Sequence, residues 1–202
     1  MQSLEMNSEY FGFSRLQMME NAGRNIAEAI ASRFKAKDKR IAFFCGLGGN
    51  GGDGLVAARL LTLFGFKVDV LLAGKLKDIT NKETKKNCKI LPLLADNISF
   101  HEVYDSTVIP DVKDEVVVDA LLGVGLKGSL RPPIMQLVKK INELKAFRIS
   151  IDVPTGIDPD SGEVLGDAVK ADLTISLYKT KPGFAKAKDY TGEIVVKDIG
   201  LP

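Results

Sequence analysis

The sequence predicts an α/β domain whose doubly wound, mostly parallel sheet carries helices on both faces. Three observations predict it. A buried apolar run, Ile41 to Cys45, breaks into six glycines within nine residues, and a helical pattern follows at once. Short β-branched or apolar runs then alternate with helical patterns along the chain. Three of the strand ends carry loops of similar character, rich in Gly and Asp.

In chain order, Glu5 to Phe11 reads as the tail of a helix that Gly12 stops. Ser14-Arg-Leu-Gln17 is a capping box that opens a helix to about Phe34. Leu16, Met19, Gly23, Ile26, Ala27, Ile30 and Phe34 form its core stripe. Met18, Ala22, Asn25 and Ala29 form a second face, to be covered by this chain or by a partner subunit; a homodimer through this helix is the expectation. After the glycine loop and its helix, Lys67 to Leu72 reads as a strand. Lys77 to Asn97 reads as one charged helix despite Pro92. Strands are expected at Ser99–Tyr104, Glu115–Asp119, Phe147–Ile151, Leu173–Leu177 and Ile194–Val196. Pro132-Pro133 introduces a helix from Ile134 to Leu144. No linker, repeat or low-complexity segment divides the 202 residues, so one domain is expected.

Composition excludes several classes. A formal charge of +2 leaves no nucleic-acid footprint. No apolar run is long enough to span a bilayer and no signal peptide opens the chain, which points to the cytoplasm. Cys45 and Cys88 fall in a buried strand and a helix, as reduced thiols rather than a disulfide or metal framework. The lone His101 reads as a surface or packing residue.

Gly46, Gly48 and Gly51 match the G-x-G-x-x-G spacing of a dinucleotide loop. Two features depart from that scheme. Asp53 falls where the helix is expected to begin, and an N-cap carboxylate would occupy the amides that hold a pyrophosphate. The second strand ends in Ala73-Gly74-Lys75, with no acid for a ribose hydroxyl. The loop binds a ligand in some other manner, or is a tight turn.

In parallel sheets ligands bind beyond the carboxyl ends of the strands. Here those ends are Gly48-Gly-Asn50-Gly-Gly-Asp53, then Asp119 with the loop Gly123 to Gly128, then Asp152-Val-Pro-Thr155-Gly156. Each acid has a plainer reading: Asp53 as an N-cap, Asp119 and Asp152 as turn-formers. Lys127 is either a solvated lysine or a functional one in a loop otherwise poor in charge. Asp158-Pro-Asp160-Ser-Gly162 reads as a turn.

At these residues the chain resembles the NAD(P)H-hydrate epimerases, the YjeF N-terminal domain family. The resemblance rests on Asn50-Gly-Gly-Asp53-Gly-Leu-Val, Asp119-Ala-Leu-Leu-Gly-Val-Gly, Ile-Asp152-Val-Pro-Thr-Gly-Ile-Asp, Ala-Asp172-Leu-Thr with Lys181-Pro-Gly, and Met19-Glu-Asn-Ala-Gly23. It runs from about Leu4 to Pro202. It implies a Rossmann-like domain that interconverts the R and S forms of NADHX and NADPHX, cofactors hydrated at C6 of the nicotinamide ring. An ADP- or ATP-dependent dehydratase, separate or fused, then repairs the S form. By position, Gly49, Asn50, Gly51, Gly52 and Asp53, with Gly123, Val124, Gly125, Leu126, Lys127, Gly128, Ser129 and Asp152, would hold the substrate. Asn50, Asp119 and Thr155 would hold a potassium ion. The family usually has asparagine at position 49 and serine at position 155.

Epimerisation at such a carbon needs an acid to protonate the departing hydroxyl and a base for the returning water. Asp152 is the first candidate and Lys127 the second. Oxygen ligands suit a hard cation rather than zinc. Two other classes remain open on sequence: a nicotinamide-dependent oxidoreductase, weakened by the missing acid and the lack of a Tyr-Lys or His pair, and a non-catalytic binding module.

Overall fold

The structure is a computed structural model that describes residues 2–36, 39–94, 97–105, 107, 109–126 and 128–201. Its described elements are α1 (Gln2–Tyr10), α2 (Arg15–Arg33), β1 (Arg40–Cys45), α3 (Gly49–Leu63), β2 (Lys67–Leu72), α4 (Lys82–Ile90), β3 (Ile98–Glu102), β4 (Val116–Ala120), α5 (Ile134–Glu143), β5 (Phe147–Ile151), β6 (Leu173–Leu177), α6 (Lys188–Thr191) and β7 (Glu193–Lys197).

The strands form one sheet in the order β3-β2-β1-β4-β5-β6-β7, and every neighbouring pair is parallel. The order reverses between β1 and β4, so the loops after these two strands diverge there and leave a crevice. Strand alternation divides the core. Ile41, Phe43 and Cys45 face one layer with Val116, Val118 and residues of α2, α3 and α4. Ala42, Phe44 and Val117 face the other with Leu137, Val138 and Ile141 of α5. Both faces are therefore covered, as expected.

Ser14 caps α2 through its hydroxyl on the Gln17 amide, and the Gln17 side chain returns to the Ser14 amide at 2.9 Å. Met18 and Ala22, from the second face of α2, are already buried within the chain. The same face is crossed by the C-terminal stretch: Asn21 donates to the Ile199 carbonyl at 3.2 Å and Asn25 to that of Asp198 at 2.8 Å. The feature that suggested a dimer through α2 is thus largely used internally.

One expected helix is divided. Asn81 accepts the Thr84 amide at 2.8 Å and so caps a new helix, α4. A 3-10 turn, Leu76–Asp78, precedes it, and Pro92 lies in a second, Leu91–Leu94. Cys45 and Cys88 are free and buried, with burial raising both thiols, Cys88 to about 11. His101 is exposed on β3. No described helix is long and apolar enough to cross a membrane.

Candidate functional site

The helix after β1 begins earlier than its sequence pattern suggests. Gly48 is its N-cap, in extended backbone, and makes no side-chain capping bond. Asp53 is therefore the fifth residue of α3 and not its cap; the first-turn amides are not engaged by a capping side chain. The early start follows from packing. A Cβ at Gly51 would fall 1.9 Å from the Gly46 carbonyl oxygen, and one at Gly46 would fall 1.9 Å from that of Leu121. A Cβ at Gly54 would fall 2.6 Å from Ala120 Cβ. These glycines let the first turns of α3 lie directly on the ends of β1 and β4. Gly48 and Gly49 differ: a Cβ at either meets nothing within 4 Å. Much of the glycine density is thus explained by close approach, and only this pair opens space.

That space is a cleft of about 420 Å³. Of the residues expected to hold substrate, Gly49, Asn50, Asp53, Gly123, Val124, Gly125, Leu126 and Asp152 line it. Gly51 and Gly52 are buried beneath, while Gly128 and Ser129 are exposed outside the lining. Lys127 lies outside the described residues. The other wall, not marked as part of a site by the sequence, comes from Arg15, Met18 and Met19 of α2, from Glu83 of α4 and from its cap Asn81. Arg15 there pairs with Glu9 of α1 at 2.9 Å.

Asp119 lies under the cleft floor, 1% exposed. Its Oδ1 accepts from the Leu121 amide at 3.2 Å and the Thr155 hydroxyl at 2.7 Å; its Oδ2 accepts from the Ser150 hydroxyl at 2.9 Å and the Thr155 amide at 2.8 Å. Burial raises its pKa against the lowering pull of these donors. The Thr155 hydroxyl also accepts the Leu122 amide at 3.0 Å and lies 3.1 Å from the Leu122 carbonyl oxygen. So β4 and the loop after β5 are joined through one carboxylate.

Asn50 approaches the loop after β4 from the first turn of α3. A Cβ at Gly123 would fall 3.3 Å from its Cγ, which places its amide against the loop after β4. Both polar atoms of that amide are buried without a hydrogen-bond partner among the described residues. Unpaired polar atoms in such a place are costly unless something else engages them. An oxygen-coordinated cation fits this donor set: a spare amide oxygen, a hydroxyl, a carbonyl and a buried carboxylate. No cluster of three or more His, Cys, Asp or Glu suited to a metal occurs among the described residues.

Asp152 follows β5 with φ +66, in the left-handed region that few residues other than glycine enter. The Val153 amide donates back to the Ile151 carbonyl at 2.8 Å, which makes the turn a γ-turn. The turn leaves the carboxylate on the cleft, with the residue only 6% exposed. Its Oδ1 accepts the Lys181 ammonium and, at 3.3 Å, the Leu177 amide. Lys181 stands in the sequence only as part of Lys181-Pro-Gly, and its place beside Asp152 is new to the structure. Its signal would have been a lysine just before the proline that opens a 3-10 turn, Pro182–Ala185. Asp158, by contrast, accepts the amides of Asp160 and Ser161 at 3.0 and 2.7 Å, the turn expected there.

Comparison with known proteins identifies the family. A family model described as "YjeF-related protein N-terminus" matches residues 15–183. The "Bifunctional NAD(P)H-hydrate repair enzyme Nnr" of Archaeoglobus fulgidus is 45% identical over 202 residues, 100% of this chain and 40% of that protein. The "NAD(P)H-hydrate epimerase" of Nitrosopumilus maritimus is 36% identical over 203 residues, 100% of this chain and 93% of that protein. The chain thus spans about two fifths of the bifunctional relative and nearly all of the other. The crystal structure of the yeast protein YNL200c superposes with a TM-score of 0.78 at 27% identity, covering 94% of this chain and 84% of that one. The chain belongs to the family of YjeF-related protein N-terminal domains.

Proposed function

We propose that the chain is an isomerase, an NAD(P)H-hydrate epimerase that interconverts the R and S forms of NADHX and NADPHX. The observation that carries the proposal is the Asp152 carboxylate, held in a left-handed turn on the wall of a cleft beside an uncapped helix N-terminus. The names of the relatives support the same reading.

The substrate diphosphate would lie against the first turn of α3, where Gly49 leaves room and the amides face an anion. Its hydrated ring would reach Asp152 across the loop Gly123 to Leu126. At C6 the hydroxyl takes a proton and leaves as water, with the electron deficit shared by C6 and the ring nitrogen. Water adds to the opposite face and gives a proton back, so atoms and charge balance. Asp152 exchanges that proton through Oδ2, since both of its side-chain hydrogen bonds among the described residues fall on Oδ1. Lys127 is the second candidate for the proton.

Asn50, Asp119 and Thr155 would hold a potassium ion. Asn50 offers an amide oxygen with no partner of its own, and the other two offer oxygens that already share protein protons. When bound, the ion supplies positive charge that offsets buried Asp119 and ties three strand-end loops together; it takes no part in proton transfer. An ADP- or ATP-dependent dehydratase is the functional partner, in line with the bifunctional name of the longer relatives. A cytoplasmic location and a symmetric dimer belong to the same proposal, the dimer now without the second face of α2 as its motive. Light scattering at micromolar concentration tests the dimer. The test of function mixes the protein with R-NADPHX and an S-specific dehydratase, and follows recovery of NADPH above the spontaneous rate. Recovery no faster than without the protein would refute the proposal.

A further inference from the structure

We infer that Lys181 is a positioning residue for the reaction, acting through Asp152. The inference rests on the proposal that Asp152 exchanges the proton.

Lys181 follows β6, and its side chain and that of Asp152 are each 9% exposed. Its ammonium meets four acceptors: Asp152 Oδ1, the Ser176 hydroxyl at 3.1 Å, the Leu177 carbonyl at 3.0 Å and the Lys179 carbonyl at 3.1 Å. An ammonium has three protons. With four acceptors around it, Lys181 has none to spare for a substrate hydroxyl, so it anchors rather than donates.

What it anchors is a pair of strained turns. Tyr178, one residue beyond β6, also has a positive φ, +67. The Lys179 amide donates to the Leu177 carbonyl at 2.8 Å across it, which makes a second γ-turn at the neighbouring strand end. A non-glycine residue in such a conformation is strained and persists only where its surroundings hold it. Lys181 binds the carbonyls on both sides of Tyr178 and the carboxylate of Asp152 at once. It thereby couples the turn after β6 to the turn after β5 and occupies Oδ1, so that Oδ2 is the oxygen presented to the cleft. A lysine serving only to satisfy buried charge would need no such contacts to both turns.

The test uses Lys181→Met, Asp152→Asn and the double variant, with R-NADPHX and the coupled dehydratase assay. If Lys181 works through Asp152, Lys181→Met lowers kcat by about the factor seen for Asp152→Asn, about 10²–10⁴, with KM little changed. The double variant is then no slower than either single one, since both remove the same function. If the double variant loses the product of the two factors, or if Lys181→Met stays within about threefold of wild type while Asp152→Asn is slow, the inference is wrong. Should Lys181→Met fail to fold because it strands a buried carboxylate, the double variant still decides: it must fold and show the Asp152→Asn rate. If Asp152→Asn itself retains wild-type kcat, the assignment of the proton to Asp152 falls, a result distinct from failure at Lys181 alone.

Discussion

Thr155 gives both of its donors to one carboxylate: its amide to Oδ2 of Asp119 at 2.8 Å and its hydroxyl to Oδ1 at 2.7 Å. The carboxylate belongs to β4 and the donors to the loop after β5, so this residue pair sets the distance between two walls of the cleft. Thr155→Val keeps the shape and removes the hydroxyl. It should cost about 1–3 kcal/mol, the penalty of leaving a buried acceptor short of a partner. Thr155→Ser should cost less than about 1 kcal/mol, because the hydroxyl remains. Equal urea midpoints for the Val and wild-type proteins would contradict this.

Asp152→Asn should fold and bind the hydrated cofactor normally, while epimerisation falls by about 10²–10⁴. Spontaneous epimerisation sets the floor and is subtracted. A rate within about threefold of wild type would move proton transfer elsewhere, with Lys127 next to be tested.

Potassium should matter more for substrate binding than for the fold. Replacing it with tetramethylammonium is expected to raise KM strongly and to lower the melting temperature only slightly, and Asn50→Ala should abolish the difference between the two buffers. Identical kinetics in both buffers for the wild-type chain would remove the case for the ion.

The two kinds of glycine can be separated by one methyl group. Gly51→Ala drives a Cβ toward the Gly46 carbonyl and should cost about 3 kcal/mol or prevent folding. Gly49→Ala has open space and should change stability by less than about 1 kcal/mol, yet weaken substrate binding because the methyl enters the cleft. Thermal melts with parallel KM values check both.

Asp114 lies at the opposite end of the sheet, 5% exposed, where burial and the nearby Asp69 raise its pKa to about 6 despite Arg40 at 3.7 Å. The folded state therefore holds this proton to higher pH than the unfolded chain does. Stability attributable to Asp114 is full below about pH 4 and declines until about pH 6. Asp114→Asn should remove that decline and raise stability at pH 7 by about 1–2 kcal/mol. Chemical denaturation at pH 4, 5, 6 and 7 measures it, and a parallel pH dependence in both proteins would rule it out.

Strand positions and strand-end acids were legible in the sequence because burial on both faces writes continuous runs such as Val116 to Val118. The start of α3 was not: glycine has low helix propensity, and the contacts that override it, Gly51 on Gly46 and Gly54 on Ala120, join residues from separate elements or across a turn. The break at Asn81 was hidden for the converse reason, since the charged pattern continues through it while a single cap restarts the helix. Lys181 was hidden because its one local mark, the proline after it, says nothing of its partner, which lies 29 residues away. The second face of α2 was seen, but its cover is a later stretch of the same chain, Asp198 and Ile199.

The positive φ of Asp152 also restricts how this position can drift. Glycine, asparagine and aspartate enter that region of backbone space most readily, and of the three only aspartate can carry the proton. If Asp152 carries the proton as proposed, asparagine here would keep the turn and lose that proton, whereas glycine would also leave the buried Lys181 ammonium without its carboxylate. A lineage that lost the reaction but kept the domain as a binding protein should therefore show asparagine here, while a bulky residue at this position would signal a rebuilt turn.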